Sequence, residues 1–384
     1  MNHFIPLSVP NLKGNELKYV TEAVNTEWVS TGGPYVTEFE NKIAEYTHVK
    51  GAVACQNGTA GIHTALMTIG VGADDMVIVP TLTFIAAVNP VKYIGAEPVF
   101  MDCDDSLCID PEKLKNFCKN ECEFINGELI YKKNNKTIKA IVVVHVFGNM
   151  ADMENILKTS KQYNLKVLED ATEAIGTYYT EGTLKDCFAG TMGDIGIYSF
   201  NGNKIITTGG GGMIVSNNEE YLKTAKHLTT QAKSDELNYK HDMIGYNYRM
   251  TNLQAALGLA QLEQLEKFIE IKNKNYALYE KLLADTGFKL IKFREKIRSN
   301  KWFYALLCAD CSQRDELIKY LLDKTIQTRP IWGLINEQMP YLCSEAYEIE
   351  KAKYYWEHVV NIPCSTNINE ADIKTVVEQI KLFK

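Results

Sequence analysis

The chain has no long hydrophobic run and no excess of positive charge, and these two absences exclude broad classes of function. Its longest apolar stretches, such as 76–79 and 141–144, fall far short of the roughly 18 residues that cross a bilayer. The start, Met1-Asn2-His3-Phe4, lacks a signal-peptide pattern. The formal net charge is −7, whereas nucleic-acid binding needs a concentrated basic surface. We therefore expect a cytoplasmic protein whose partners include neither a membrane nor a nucleic acid.

Motifs for metals, disulfides and common nucleotide folds are also missing. The ten cysteines are scattered through a chain of 384 residues, which can bury a large core without disulfides. Cys308 and Cys311 have C-x-x-C spacing, but no second pair follows to complete a tetrahedral site. We expect free thiols and no metal. Because G-x-x-x-x-G-K-[ST] and G-x-G-x-x-G are absent, neither a P-loop NTPase nor a Rossmann dehydrogenase is indicated.

The pattern that is present predicts an α/β fold. From about residue 49 to 215, short β-branched runs alternate with helical periodicity, which is typical of a mostly parallel sheet covered by helices. Residues 252–282 are amphipathic and contain no proline, which predicts a long connecting helix, and the remainder predicts a small α+β unit. We predict a large domain at 1–251 and a second domain, with the connecting helix, at 252–384. The predicted strands are 52–54, 76–79, 98–101, 138–144, 166–168, 195–200 and 212–215, with helices at 36–46, 60–69, 84–93, 153–163 and 219–228.

Polar residues follow several predicted strands, at the edge where open α/β sheets bind ligands. Asn57-Gly58-Thr59-Ala60 lies between a strand and a helix, so it is either a phosphate cradle or an ordinary helix cap. Asp170 at a strand end either takes part in the chemistry or caps the next helix. A lysine in a loop, such as Lys204, usually points into solvent. The glycine run 209–212 predicts a flexible turn or a close approach of backbone to a ligand.

Taken together, these residues fit one chemistry. A pyridoxal phosphate cofactor needs a phosphate cradle, an aromatic face, a carboxylate at the ring nitrogen and a lysine. The chain supplies them in that order as Thr59, Phe84, Asp170 and Lys204. Along nearly its whole length the sequence resembles the DegT/StrS-type nucleotide-sugar aminotransferases. The matching motifs are GNELKYV from Gly14, WVSTG from Trp28, NGTAGIH from Asn57, TLTFIA from Thr81, HVFGNMADM from His145, EDATEAIG from Glu169, SFNGNKIITTGGGGM from Ser199, GYNYRMTN from Gly245 and TRPIW from Thr328.

The resemblance implies a fold, a cofactor and residue roles. The fold is the aspartate-aminotransferase architecture (fold type I), and the cofactor is pyridoxal 5'-phosphate. Lys204 would be the catalytic lysine that carries the cofactor and moves the proton, and Asp170 would keep the ring nitrogen protonated. Asn247 would reach the cofactor phosphate of a neighbouring subunit, which implies a homodimer, and Glu173 stands where the family usually has Gln. The implied cofactor-binding residues are Gly58, Thr59, Ala60, Phe84, Asp170, Glu173, Ser199, Lys204 and Asn247.

Finer similarities concern the substrate. Residues 201–213, with Gly210 where many relatives have Glu, are similar to enzymes that aminate C4 of a UDP-linked 4-keto-6-deoxy-N-acetylhexosamine for bacterial surface glycans, with L-glutamate as donor and 2-oxoglutarate as product. The GYNYRMTN motif is also similar to perosamine synthases, which act on a GDP-linked 4-keto-6-deoxymannose. The UDP sugar is the predicted substrate and the GDP sugar the alternative. A regulatory protein that has lost catalysis is an alternative of another class. The implied substrate-binding residues are Trp28, Ser30, Thr31, Gly32, Arg249 and Arg329.

Overall fold

A computed structural model describes residues 3–383, whose strands form one large and three small sheets, and Met1, Asn2 and Lys384 lie outside this range. The strands are β1 (Gly51–Cys55), β2 (Asp75–Pro80), β3 (Glu97–Met101), β4 (Cys122–Ile125), β5 (Glu128–Tyr131), β6 (Thr137–Val144), β7 (Lys166–Asp170), β8 (Tyr178–Tyr179), β9 (Ile195–Ser199), β10 (Gly212–Ser216), β11 (Lys233–Asp235), β12 (Lys240–His241), β13 (Lys289–Leu290), β14 (Ile297–Arg298), β15 (Tyr304–Leu307), β16 (Arg329–Pro330), β17 (Glu345–Tyr347) and β18 (Val359–Ile362). The helices are α1 (Glu16–Asn25), α2 (Pro34–Thr47), α3 (Gly58–Thr68), α4 (Asn89–Tyr93), α5 (Pro111–Asn120), α6 (Met153–Gln162), α7 (Glu219–Thr229), α8 (Asn252–Leu262), α9 (Leu265–Leu283), α10 (Cys311–Asp323), α11 (Lys351–His358) and α12 (Glu370–Leu382).

The largest sheet determines where ligands can bind. Its strand order is β1-β10-β9-β7-β6-β2-β3-β17, and β5 and β4 extend it beside β6. Neighbouring strands from β9 to β17 are parallel, while β10 is antiparallel to both β1 and β9. The strands β1, β2, β6, β7 and β9 therefore end at one common edge. The mostly parallel α/β sheet predicted from the sequence is confirmed, and its seven predicted strands lie within two residues of their observed bounds.

The predicted helix at 84–93 is interrupted. The structure has a 3-10 turn at Ile85–Ala87 and then the short helix α4. Pro90 lies in the first turn of α4, the part of a helix where its missing N–H costs least. The proline therefore starts a new helix instead of continuing the first.

The predicted long helix at 252–282 is also wrong as one helix, because the structure divides it into α8 and α9. The division lies at Glu263 and Gln264, where neither glycine nor proline occurs. The Glu263 carboxylate accepts hydrogen bonds from Asn15 Nδ2 at 2.7 Å and from the Tyr19 hydroxyl at 2.6 Å. Contacts with the N-terminal segment accompany the break, and the hydrophobic periodicity does not report them.

Backbone pairing crosses the predicted domain boundary at 251/252. Near the N-terminus, Ile5 forms a parallel β-bridge with Ile326, beside the four-stranded sheet β13-β15-β18-β16. In the opposite direction, β17 pairs with β3 and extends the large sheet. The division into 1–251 and 252–384 stays a prediction, and each part contributes a segment that packs on the other.

Three further properties concern the cysteines, metal binding and membrane spans. The ten cysteines are free thiols, and of the C-x-x-C pair Cys308 is buried while Cys311 is exposed. Among residues 3–383, no three His, Cys, Asp or Glu side chains are arranged to hold a metal ion. Every helix in the same range is too short or too polar to span a lipid bilayer.

A buried carboxylate after β3 connects the large sheet to α11. Asp102 is fully buried, and it accepts hydrogen bonds from the N–H groups of Glu350, Lys351 and Ala352 at 3.1, 3.0 and 2.7 Å and from Lys113 Nζ at 2.8 Å. Burial alone would raise the pKa of Asp102, but the hydrogen bonds from Lys113 and the backbone outweigh burial and hold that pKa below its usual value.

Asp102→Ala should lower the free energy of unfolding by about 3 kcal/mol, because four backbone N–H groups, including that of Cys103, and the Lys113 ammonium lose their partner. Because its pKa is lower in the folded state, the carboxylate's contribution is present above about pH 4 and is lost as the pH falls through the folded value. Urea titration at neutral and acid pH measures both effects. The control is Asp105→Ala, since that side chain is 75% exposed and its ion pair with Lys351 is worth less than about 1 kcal/mol. If the two variants lost equal free energy of unfolding, the stabilising role assigned to Asp102 would be wrong.

Candidate active site

A cavity of about 300 Å³ lies at the edge where the parallel strands end. Residues that follow β1, β2, β7 and β9 form one side, and aromatic residues from the C-terminal part of the chain form the other. The structure therefore brings together most of the predicted cofactor-binding residues. Those that line the cavity are Gly58, Thr59, Phe84, Asp170, Glu173, Ser199 and Lys204.

Helix α3 begins at the cavity wall, and two backbone N–H groups in its first turn make no hydrogen bond within the described residues. Asn57 caps the helix, because its Oδ1 accepts a hydrogen bond from the Ala60 N–H at 2.8 Å and its carbonyl accepts one from Gly61 at 3.1 Å. In the part of the chain that the structure describes, this leaves the N–H groups of Gly58 and Thr59 without a partner at the positive end of an 11-residue helix. The cap therefore leaves two N–H groups available to an anion, and Ala60, whose N–H donates to Asn57, lines an adjoining cavity.

Close packing around the first turn of α3 explains two glycines. A Cβ at Gly58 would lie 3.1 Å from Ser199 Cβ, and a Cβ at Gly212 would lie 2.6 Å from the carbonyl carbon of Asn57. The close approach at Gly212 is to the backbone of Asn57 and not to a ligand, so both interpretations of the glycine run 209–212 stay predictions. Ser199, the last residue of β9, adds a hydroxyl group beside the free N–H groups.

Two buried carboxylates line the cavity, and each is only 4% exposed. Asp170 Oδ1 accepts a hydrogen bond from the Thr172 N–H at 3.1 Å, and burial raises the pKa of Asp170 although the charge of Lys204 opposes this. Glu173 Oε2 accepts a hydrogen bond from the Phe147 N–H at 2.8 Å, and burial raises the pKa of Glu173 to about 7 against the effect of Lys204. Carboxylates in such surroundings favour a cationic partner.

Lys204 lies between one of these carboxylates and an aromatic wall. Its Nζ is 3.5 Å from Glu173 Oε1 and 4.1 Å from the centroid of the Trp302 ring, and its side chain is only 13% exposed. The rings of Trp302 and Phe303 stack with centroids 4.0 Å apart, and Trp332 also lines the cavity. The solvated-loop interpretation of Lys204 is therefore wrong, because the side chain is enclosed by the C-terminal part of the chain.

The aromatic wall is the part of the site that the sequence did not predict. Trp302 and Phe303 come just before β15, and Trp332 ends the TRPIW motif, so each lies far from Lys204 along the chain. No local pattern marks them as cavity residues. Phe84, which was predicted to provide the aromatic face, lines the cavity but is 54% exposed.

The predicted sugar-side residues do not line this cavity. Trp28, Ser30, Thr31 and Gly32 lie together before α2, against the start of α8. The Ser30 carbonyl accepts a hydrogen bond from the Asn252 N–H at 2.6 Å, and the Trp28 carbonyl accepts one from Asn252 Nδ2 at 2.7 Å. Their roles in substrate binding stay predictions.

Three further predicted residues also lie outside the cavity lining. Asn247 is exposed and forms a β-bridge with Thr230. Arg249 forms a β-bridge with Cys55, and its Nε is buried without a hydrogen-bond partner among residues 3–383. Arg329 is exposed in the small sheet. None of these three residues lines the cavity around Lys204 within the described chain.

The chemistry of the cavity fits pyridoxal phosphate. Two free N–H groups and a hydroxyl at a helix N-terminus suit a phosphate. The buried Asp170 suits a protonated ring nitrogen, the aromatic wall suits a flat ring, and an enclosed lysine suits a covalent link to an aldehyde.

Comparisons with known proteins agree with this fit. A sequence profile described as the DegT/DnrJ/EryC1/StrS aminotransferase family matches residues 10–381. The chain is 38% identical to a GDP-perosamine synthase from Escherichia coli, over 99% of this chain and 98% of the relative. It is 30% identical to a UDP-4-amino-4,6-dideoxy-N-acetyl-beta-L-altrosamine transaminase from Campylobacter jejuni, over 98% and 96%. A crystal structure of a DegT DnrJ EryC1 StrS aminotransferase from Brucella abortus is 27% identical, with a TM-score of 0.87 over 96% of this chain and 95% of that one.

Proposed function

Because the chain belongs to the DegT/DnrJ/EryC1/StrS family of pyridoxal phosphate-dependent sugar aminotransferases, we propose that it aminates C4 of a GDP-linked 4-keto-6-deoxymannose with L-glutamate as donor. Residues 201–213 predicted the UDP sugar as the substrate and the GDP sugar as the alternative, and this proposal exchanges the two. The reversal is supported by the identity of 38% to a GDP-perosamine synthase, against 30% to the UDP-sugar transaminase.

One observation carries the catalytic part of the proposal. Lys204, Asp170 and the first turn of α3 come from three strand ends that are far apart in the sequence, and they meet at one cavity. A protein that had lost catalysis would have no need for an enclosed lysine beside buried carboxylates. The regulatory alternative is therefore disfavoured.

In this proposal, each residue has a defined task. The bound cofactor supplies a ring that accepts the electrons released at a substrate carbon. Asp170 holds the proton on the ring nitrogen, so that the ring stays able to accept them. The N–H groups of Gly58 and Thr59 and the Ser199 hydroxyl bind the phosphate. Lys204 holds the cofactor and, when free, takes a proton from the donor carbon and gives one to sugar C4.

We further propose that the active enzyme is a homodimer whose sites are shared. Asn247 and Trp28 are exposed in the single chain, and the Arg249 Nε is buried without a partner within residues 3–383. A second copy that covers this surface would bring Asn247 to the neighbouring cradle and the 28–32 segment to the neighbouring sugar. Sedimentation velocity checks this, since a fully active monomer at assay concentration would contradict it.

The substrate assignment is tested by supplying L-glutamate with GDP-linked 4-keto-6-deoxymannose or with UDP-linked 4-keto-6-deoxy-N-acetylhexosamine. We expect kcat/KM for the GDP sugar to exceed that for the UDP sugar by at least about a hundredfold, because unpaired polar groups in a buried site penalise the wrong ligand. Mass spectrometry of the sugar nucleotide measures the new amine. Amination of the UDP sugar alone would instead support the second candidate, which the 201–213 motif favours. If neither sugar nucleotide gains an amine, both substrate candidates are wrong.

A further inference from the structure

The free amino group of Lys204 has two partners inside the cavity, and neither is solvent. The Glu173 carboxylate approaches from one side at 3.5 Å, and the Trp302 ring lies 4.1 Å away. The other charged group that faces this amine is Asp170, whose pKa is raised by burial although the charge of Lys204 opposes this. An aromatic face and a carboxylate both stabilise an ammonium ion more than a neutral amine.

The Trp302 ring is held firmly where Lys204 meets it. Its indole N–H donates a hydrogen bond to the carbonyl of Asn203, the neighbour of Lys204, at 2.8 Å. Its backbone N–H donates to Asn300 Oδ1 at 3.0 Å, and its carbonyl accepts from the buried Lys272. These hydrogen bonds hold both the backbone and the ring of Trp302, so the position of the aromatic face does not depend on the Lys204 side chain.

Glu173 is fixed in a similar way. The Phe147 N–H holds one of its oxygens, and the other points to Lys204. Asn300 links the two partners, because its side-chain amide donates a hydrogen bond to the Glu173 carbonyl at 2.9 Å while its Oδ1 accepts the one from Trp302. The two groups around the amine thus belong to one hydrogen-bonded unit.

We propose that Trp302 and Glu173 form a holding site for the Lys204 ammonium, and that they are positioning residues for the proton transfer. The site keeps the lysine in place between taking a proton from one carbon and giving it to the next. Only a proton moves in this step, from a carbon to the amine and back to a carbon. The inference rests on the proposed role of Lys204, and it adds a role for a tryptophan and for the Glu that stands in place of Gln.

The test follows how fast the full-length chain, stripped of its cofactor, captures pyridoxal phosphate as the pH rises from about 7 to about 11. Only the neutral amine captures an aldehyde, so the pH of half-maximal rate reports how strongly the ammonium form is favoured. We expect Trp302→Leu and Glu173→Gln each to move this midpoint down by about half a pH unit, the size expected for loss of one such contact. Damage to the site that is independent of pH would lower the plateau and leave the midpoint unchanged.

Three variants complete the design. Trp302→Phe keeps an aromatic face but loses the hydrogen bond to Asn203, so it should shift the midpoint by less than half as much, and it replaces the leucine variant if that one does not fold. Trp356→Leu removes a tryptophan outside the cavity lining and should leave the midpoint unchanged. Lys204→Ala should capture nothing.

The outcomes separate the two proposals. If Lys204→Ala still captures the cofactor, the proposed function fails. If Lys204→Ala captures no cofactor but Trp302→Leu and Glu173→Gln keep the wild-type midpoint, only the holding site is overturned. A midpoint that moves up in either variant would also overturn it.

Discussion

Lys204→Ala is expected to reduce kcat for transamination by at least about ten-thousandfold, the upper range for loss of a positioned proton-transfer group, and loss of the cofactor link adds to this effect. The side chain is the lysine that the cavity encloses beside Glu173 and Trp302. The variant should also lack the absorbance band near the visible edge that the wild type shows with pyridoxal phosphate. Steady-state rates and the absorbance spectrum measure the two effects.

The matched control is Lys185→Ala, which removes an exposed lysine from a turn outside the cavity. It should keep both the rate and the band. A Lys204→Ala enzyme with more than a hundredth of wild-type activity would mean that another group performs the proton transfer.

Asp170→Asn should lower kcat by about a thousandfold, in the range seen when one fixed electrostatic partner of a reacting system is lost. The amide has nearly the same shape, but it carries no charge to hold a proton on the ring nitrogen. Asp170 is buried, and the Thr172 N–H donates a hydrogen bond to its carboxylate. Stopped-flow measurement of the half-reaction with L-glutamate isolates the affected step.

Asp186→Asn is the control for this substitution, since Asp186 lies exposed in a turn with φ of 63°, a conformation that Asn also adopts readily. Its rate should equal that of the wild type. If Asp170→Asn retained a tenth of the activity or more, the carboxylate would not be the group that keeps the ring nitrogen protonated.

The sheet and half of the cavity could be predicted because local patterns determine them. Runs of β-branched residues predicted seven strands, and the residues at or just after the ends of those strands included Thr59, Asp170 and Lys204. The helix break at Glu263 and the aromatic wall with Trp302 could not be predicted, because both involve contacts between segments that are distant in the sequence. A local pattern carries no information about which distant ring covers a lysine.

The substrate was harder to predict for a related reason. The motif 201–213 that favoured the UDP sugar contains Lys204, for which we propose the role of carrying the cofactor, whereas the predicted sugar-side residues 28–32 do not line the cavity around Lys204. A motif near the cofactor reports the shared chemistry more than the nucleotide. Similarity over the whole chain includes residues outside this motif, and it supports the GDP sugar that we propose as substrate.

The central claim, that Lys204 carries the cofactor of a sugar aminotransferase, is tested most directly by fixing the cofactor in place. The pyridoxal phosphate-loaded chain is reduced with borohydride and digested, and mass spectrometry locates the phosphopyridoxyl group. We predict a single modified peptide with the group on Lys204, and its disappearance when the enzyme is first incubated with L-glutamate. A group on another lysine, or one spread over exposed lysines, would contradict the account.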